Sequence, residues 1–138
     1  MNNRPLIGLG VIVIKDNKVL MGKRRNAHGE GHWSFPGGHL EYQEAPEDGA
    51  LREVKEETGL TVVNIVPGPY TNDVFSQDDK HYITLFMIAH HQEGEPKVME
   101  PEKCERWEWQ DWQRMPQPLF LPIVNLHRQG YSPFVTKE

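Results

Sequence analysis

Residues 38–60, GHLEYQEAPEDGALREVKEETGL, constrain this chain more than any other stretch. Gly38 and Glu44 lead into Arg52-Glu53-Val54-Lys55-Glu56-Glu57, which closes on Thr58-Gly59-Leu60. Pro46 suits the first turn of a helix, and the acidic Glu47 and Asp48 beside it meet the positive end of the dipole. Gly59 supplies the left-handed residue that ends a helix. Ala45, before Pro46, has no oxygen to offer a free backbone N–H. Glu53, Glu56 and Glu57 fall at i, i+3 and i+4, so on a helix they share one face within about 100° of arc. Side-by-side carboxylates repel unless a cation neutralises them, and hard oxygen ligands of this kind suit Mg²⁺ or Mn²⁺. Apart from Leu51 and Val54 the segment has no apolar stripe that would anchor it by burial alone. Gly49 and Ala50, one turn before Glu53, allow a loop or a phosphate to approach closely. A solvated acidic helix is the plainer reading of such charges.

The remaining composition narrows the function classes. The formal charge is -5, from 20 acidic and 15 basic residues, and no basic run exceeds Lys23-Arg24-Arg25. Nucleic acid and membrane surfaces, which need a positive field, are disfavoured as partners. A free nucleotide remains compatible through metal ions and a local cationic patch. The lone Cys104 excludes an internal disulfide and fits a reducing compartment, the cytoplasm. The apolar run from Leu6 to Ile14 is too short to cross a bilayer and reads as a strand. The histidines are scattered without a zinc-site spacing, and residues 1–138 read as one domain.

Along the chain, strands alternate with two helices. Leu6 to Lys15 and Lys18 to Lys23 are joined by an Asp16-Asn17 turn, and Arg24 to His32, with Asn26, Gly29 and Gly31, reads as a loop. Trp33-Ser34-Phe35 is a short strand ended by a Pro36-Gly37-Gly38 turn. Leu60 to Val66 is a strand broken by Pro67-Gly68-Pro69. His81 to His91 alternates Tyr82, Thr84, Phe86 and Ile88 with Ile83, Leu85, Met87 and Ala89, so both faces are apolar and the strand is central. Glu93 to Lys103 is a loop, Arg106 to Gln110 a strand, and Leu119 to Arg128 a helix ended by Gly130. The pattern alone supports α/β or α+β.

The 38–60 stretch resembles the signature of the Nudix hydrolase family at Gly38, Glu44, Arg52, Glu53, Val54, Glu56, Glu57, Gly59 and Leu60. The resemblance implies an α/β/α sandwich with a mixed sheet between helices, and hydrolysis of nucleoside diphosphate linkages with Mg²⁺ or Mn²⁺. It implies that Glu53, Glu56 and Glu57 hold metal, joined by the carbonyl of Gly37 and a glutamate from a later loop. Glu102 is the choice there, with Glu100 and Glu105 as competitors. Glu53 ranks first and Glu44 second as the base that deprotonates water. Arg52 reads as orienting these carboxylates through charge-assisted bonds.

A finer resemblance runs through GKRR (Gly22 to Arg25), FPGGHLE (Phe35 to Glu41), HYITL (His81 to Leu85), EPEKCERWEW (Glu100 to Trp109) and the PLF before the last helix. These segments are similar to plant cytosolic Nudix hydrolases and the mammalian thiopurine-nucleotide diphosphatase, relatives of mutator-type nucleotide-pool sanitisers. The likeness implies cleavage of nucleoside triphosphates, modified ones included, to monophosphate and pyrophosphate, by an enzyme that is often a homodimer. On it Arg24 meets the polyphosphate, while Thr84, Phe120 and Leu121 line the base pocket; ordinary helix core is the competing reading for Phe120 and Leu121. Other substrates, such as ADP-ribose or a nucleotide sugar, and a nucleotide-binding regulator without turnover are the alternatives.

Overall fold

The computed structural model describes residues 3–25 and 28–134; Asn26, read above as part of a loop, lies outside them. Strand β1 (Leu6–Lys15) turns into β2 (Lys18–Arg24) through Asp16 and Asn17. Both turn residues have positive φ, 51° and 63°, which matches the right-handed twist of a tight hairpin. After a loop come β3 (Trp33–Ser34), β4 (Gly37–His39), α1 (Pro46–Thr58), β5 (Val62–Phe75), β6 (Lys80–His91), β7 (Cys104–Asp111) and α2 (Leu121–Arg128).

Among the described residues the strands form one mixed sheet in the order β3-β2-β1-β6-β5, with β4 paired to β1 and β7 to β2. β1 and β6 run parallel from Leu6 opposite Tyr82 to Ile14 opposite His90, and the other pairings are antiparallel. The alternation read in β6 sorts its side chains onto two cores. Met87 and Ala89 pack with Val11, Val13, Ala50 and Val54 under α1. Phe86 packs with Ile12, Met21, Trp112, Ile123 and Leu126 under α2. The helices therefore cover opposite faces of the sheet, and the sandwich expected above is the fold.

α1 is anchored by very little apolar surface. Ala50 and Val54 are fully buried whereas Leu51 is 37% exposed. Burying Val54 contributes roughly 1.5–3 kcal/mol. A side chain at Gly49 would collide with Leu9 of β1 and with Glu44, so the small residue lets strand and loop close on the helix. Gly59 ends α1 at φ 77°, and Ala45 caps its start with no side-chain hydrogen bond.

Two readings are corrected. Pro67-Gly68-Pro69 does not end its strand: β5 continues to Phe75 while its ladder with β6 slips between Val63 and Val66 and again between Pro67 and Tyr70. β5 is the edge of the sheet, where a missing N–H is tolerated and bulges absorb the mismatch. Gly37 and Gly38 are not a turn either. They pair with Gly10 and Leu9 of β1 as strand β4.

Candidate active site

One cavity of about 530 Å³ opens where β4, the end of β2 and the start of α2 meet. Its first end is acidic. A Cβ on Gly38 would sit within the Glu53 carboxylate, so the glycine is what lets α1 bring that side chain to the sheet. Glu53 is buried, and the N–H of Gly37 donates to Oε1 of Glu57 at 3.3 Å. The indole N–H of Trp107 on β7 donates to the Glu57 carbonyl at 3.3 Å, which ties the end of the helix to the wall.

Arg52 organises the carboxylates. Its Nε and Nη2 donate to the two oxygens of Glu44 at 2.7 and 3.0 Å, and Nη1 donates to Glu53 at 3.1 Å and Glu56 at 3.3 Å. Nη2 also donates to the His39 carbonyl at 3.1 Å, so the fork locks α1 to β4. The charge-assisted fork holds Glu44 below its ordinary value and raises Arg52 above its own. Glu57 has no such partner. Burial pushes its carboxyl up to about 9, with the hydrogen bond and charge of Glu53 adding to the effect. In the absence of a cation, then, Glu57 keeps a proton that its neighbour's charge favours.

The other end is aromatic. Arg24, the last residue of β2, lies 4.0 Å from the centroid of the Phe120 ring and separates the two ends. Its Nε donates to the His28 carbonyl at 2.7 Å and Nη1 to Ser34 Oγ at 3.4 Å. Burial lowers the Arg24 guanidinium, against the charge of Glu57, which favours its protonated form. Phe75 stands 5.4 Å from Phe120 and 6.1 Å from Tyr82, centroid to centroid. His28 packs edge-on to Phe75 at 4.0 Å, and its Nδ1 is 2.7 Å from Asp78 Oδ2. Burial lowers His28 from its ordinary value despite that bond.

The structure thus gathers Gly37, Glu53, Glu56, Glu57, Arg52, Arg24, Thr84 and Phe120 on the wall of one cavity. Glu44 stands behind Arg52 and not on the wall. Glu102 is exposed and does not reach the cavity; Glu100 does. The N–H groups of Lys103 and Cys104 both donate to the Glu100 carbonyl, at 2.9 and 3.1 Å, closing a turn that leaves Glu102 at its outer side. Leu121 is also off the wall, and Ile123 is on it. Phe120 precedes the helix in extended backbone, and Pro122 and Ile123 follow it onto the wall while Leu121 does not. His28, Phe75 and Tyr82 were missed because they stand far apart in the chain. Gly8 and Gly10, also on the wall, carried a signal: glycine inside a strand marks a close approach or an opening.

A model of the NUDIX domain matches residues 4–131. The chain belongs to the Nudix family. An ADP-ribose pyrophosphatase of Methanocaldococcus jannaschii is 36% identical over 72% of this chain, which spans 59% of that relative's length. The 8-oxo-dGTP diphosphatase of Escherichia coli is 26% identical over 92% of this chain and 87% of its own. Among solved structures, the MutT NUDIX hydrolase of Burkholderia pseudomallei superposes with a TM-score of 0.83 at 28% identity, over 91% of this chain and 98% of that one. The chain is accordingly a Nudix hydrolase of phosphoric anhydrides, and the family acts on small nucleotide substrates, generally with divalent cations.

The residues present fit such a cation. Among the described residues no three His, Cys, Asp or Glu side chains converge as a ready cage, and Glu53 and Glu56 both accept from Arg52. Mg²⁺ needs no cage, since it binds through one or two carboxylates and keeps several waters. The buried Glu53 and the half-buried Glu57 supply hard oxygens, and the raised Glu57 carboxyl marks a place where added positive charge would displace a proton.

Proposed function

We propose that this Nudix hydrolase cleaves nucleoside triphosphates, modified ones included, to monophosphate and pyrophosphate with Mg²⁺ or Mn²⁺. The carrying observation is that the acidic face of α1, the guanidinium of Arg24 and an aromatic pocket line one continuous cavity. Glu53, Glu57, Glu56, the Gly37 backbone and Glu100 in place of Glu102 would hold the cation. When bound, it supplies charge neutralisation on the polyphosphate. Glu53 takes the proton from the attacking water, being buried on the wall and held in place by Arg52. Glu44, with both oxygens on the Arg52 fork, positions that arginine. Arg24 faces the phosphates from between the two ends, and Phe120 stacks on the base. The lone, half-buried Cys104 supports a cytoplasmic setting, and the branch resemblance supports a homodimer.

Hydrolysis in isotopically labelled water tests the reaction. Label is expected in pyrophosphate, which reports attack at the second phosphorus; label in the monophosphate would place the attack at the first. Orthophosphate as the primary product would overturn the reading. The archaeal relative's name favours a second reading, ADP-ribose hydrolysis. Release of AMP and ribose 5-phosphate from ADP-ribose, faster than pyrophosphate from any triphosphate, would establish it instead.

A further inference from the structure

Thr84 stands on the floor of the aromatic end. Across the parallel β1–β6 pairing, Gly8 lies opposite Thr84 and Gly10 opposite Phe86. Both glycines line the cavity, so no side chain of β1 rises there between the strand and a bound base. A Cβ on Gly8 would lie 3.6 Å from Thr84 Oγ1, which puts that oxygen beside the opened space.

The proton of this hydroxyl is already committed. Thr84 Oγ1 donates to Asp73 Oδ2 at 2.6 Å, and Thr71 Oγ1 donates to the same oxygen at 2.9 Å. From α2, Asn125 Nδ2 donates to Asp73 Oδ1 at 2.9 Å. Asp73 is 0% exposed and is not on the cavity wall. A carboxylate surrounded by donors accepts and gives nothing back. A hydroxyl has one proton and two lone pairs. With its proton turned inward to Asp73, Thr84 has only a lone pair to offer the cavity.

We infer that Asp73 is a positioning residue that makes Thr84 an obligate hydrogen-bond acceptor, so that the pocket selects nucleobases presenting an exocyclic amine at that edge. The inference rests on the nucleotide-hydrolase reading and names the substrate class within it. An oxo group at the same edge would bring two acceptors together and leave a buried lone pair unanswered. Loss of one such buried bond is worth about tenfold in relative affinity.

The test uses three pairs of triphosphates: guanosine against inosine, which differ only by the exocyclic 2-amine, and adenosine against inosine and cytidine against uridine, in which an exocyclic amine becomes an oxo group and the adjacent ring nitrogen gains a proton. For each, kcat/KM is measured together with the Kd of the non-hydrolysable imido analogue. The member with the additional exocyclic amine is expected to win at least one pair by about tenfold, and its partner none. Thr84→Val should flatten that preference, and Thr84→Ser should keep it. Asp73→Asn releases the hydroxyl proton, so it should shrink or invert the ratio in the wild-type background and leave it unchanged in a Thr84→Val background. A merely structural Asp73 would lower all activities without moving the ratio. Should Asp73→Asn fail to fold, the valine and serine variants decide alone. Equal handling of every pair, preference for the member that lacks the amine, or a ratio untouched by Thr84→Val overturns the inference. A preserved Kd ratio without turnover would overturn the hydrolase reading and leave the inference standing.

Discussion

The two ends of the cavity are built in different ways. The acidic end comes from one contiguous segment, β4 through α1, whose glycines, glutamates and arginine meet because helix geometry and a short loop bring them together. The aromatic end is collected from the loop before β3, the β5–β6 hairpin and the start of α2. No two of these segments are neighbours in sequence. The acidic end is rigid through charge: one guanidinium serves three carboxylates and a carbonyl. The aromatic end holds its shape through ring contacts and one buried carboxylate, Asp73, with its three donors. On the proposed function, the contrast teaches that the bond-breaking chemistry sits on local structure, while the choice of base sits on long-range packing.

The sharpest way to break this division is at Glu57. Glu57→Gln keeps the shape and removes one ligand charge, so turnover should fall by about 10²–10⁴ while circular dichroism and Tm report an intact fold. Excess chelator should abolish wild-type activity as completely. An unimpaired Glu57→Gln enzyme, or full activity in chelator, would falsify the assignment of metal chemistry to the acidic end.

A smaller effect is expected at the opposite end. Phe120→Ala removes stacking that substrate and transition state share, so KM should rise about tenfold for every base while kcat changes little. A change confined to kcat would mean that Phe120 acts through Arg24, whose guanidinium rests on its ring, and would blur the division.

A separate test concerns stability and not activity. The Glu57 carboxyl is raised from an ordinary 4.5 to about 9, so across that interval the folded protein holds a proton that the unfolded chain releases. Stability of the metal-free protein should therefore be greatest at the acidic limit of that window and decline as pH rises through it. Melting curves without divalent cation should show this decline, and Glu57→Gln should flatten it. Unchanged slopes would mean that another group sets the dependence.

Much of the fold and of the acidic end was legible in the chain before its structure. The period-2 alternation of β6, the Asp16-Asn17 hairpin and the Pro46-to-Gly59 helix each carry their signal within a few residues. The misreadings share one cause. Pro67-Gly68-Pro69 looked like a strand end because its partner, β6, was not visible from the local pattern. Gly37-Gly38 looked like a turn because the β1 backbone it pairs with lies far away in sequence. Glu102 and Leu121 were assigned from the family resemblance, but a turn closed on the Glu100 carbonyl and the way the chain enters α2 set Glu100, Pro122 and Ile123 on the wall instead.

By itself the sequence determined the acidic helix, because three carboxylates at i, i+3 and i+4 are placed by helix geometry alone, and its likeness to the Nudix signature supplied the family and the class of bond attacked. Only the tertiary structure decided which distant rings surround Arg24, and which way the Thr84 proton points. The physical reason is that a hydroxyl's polarity and a pocket's shape belong to whatever is packed against them. For Thr84 that partner is Asp73, on the neighbouring strand and buried from solvent, where no local pattern records the pairing.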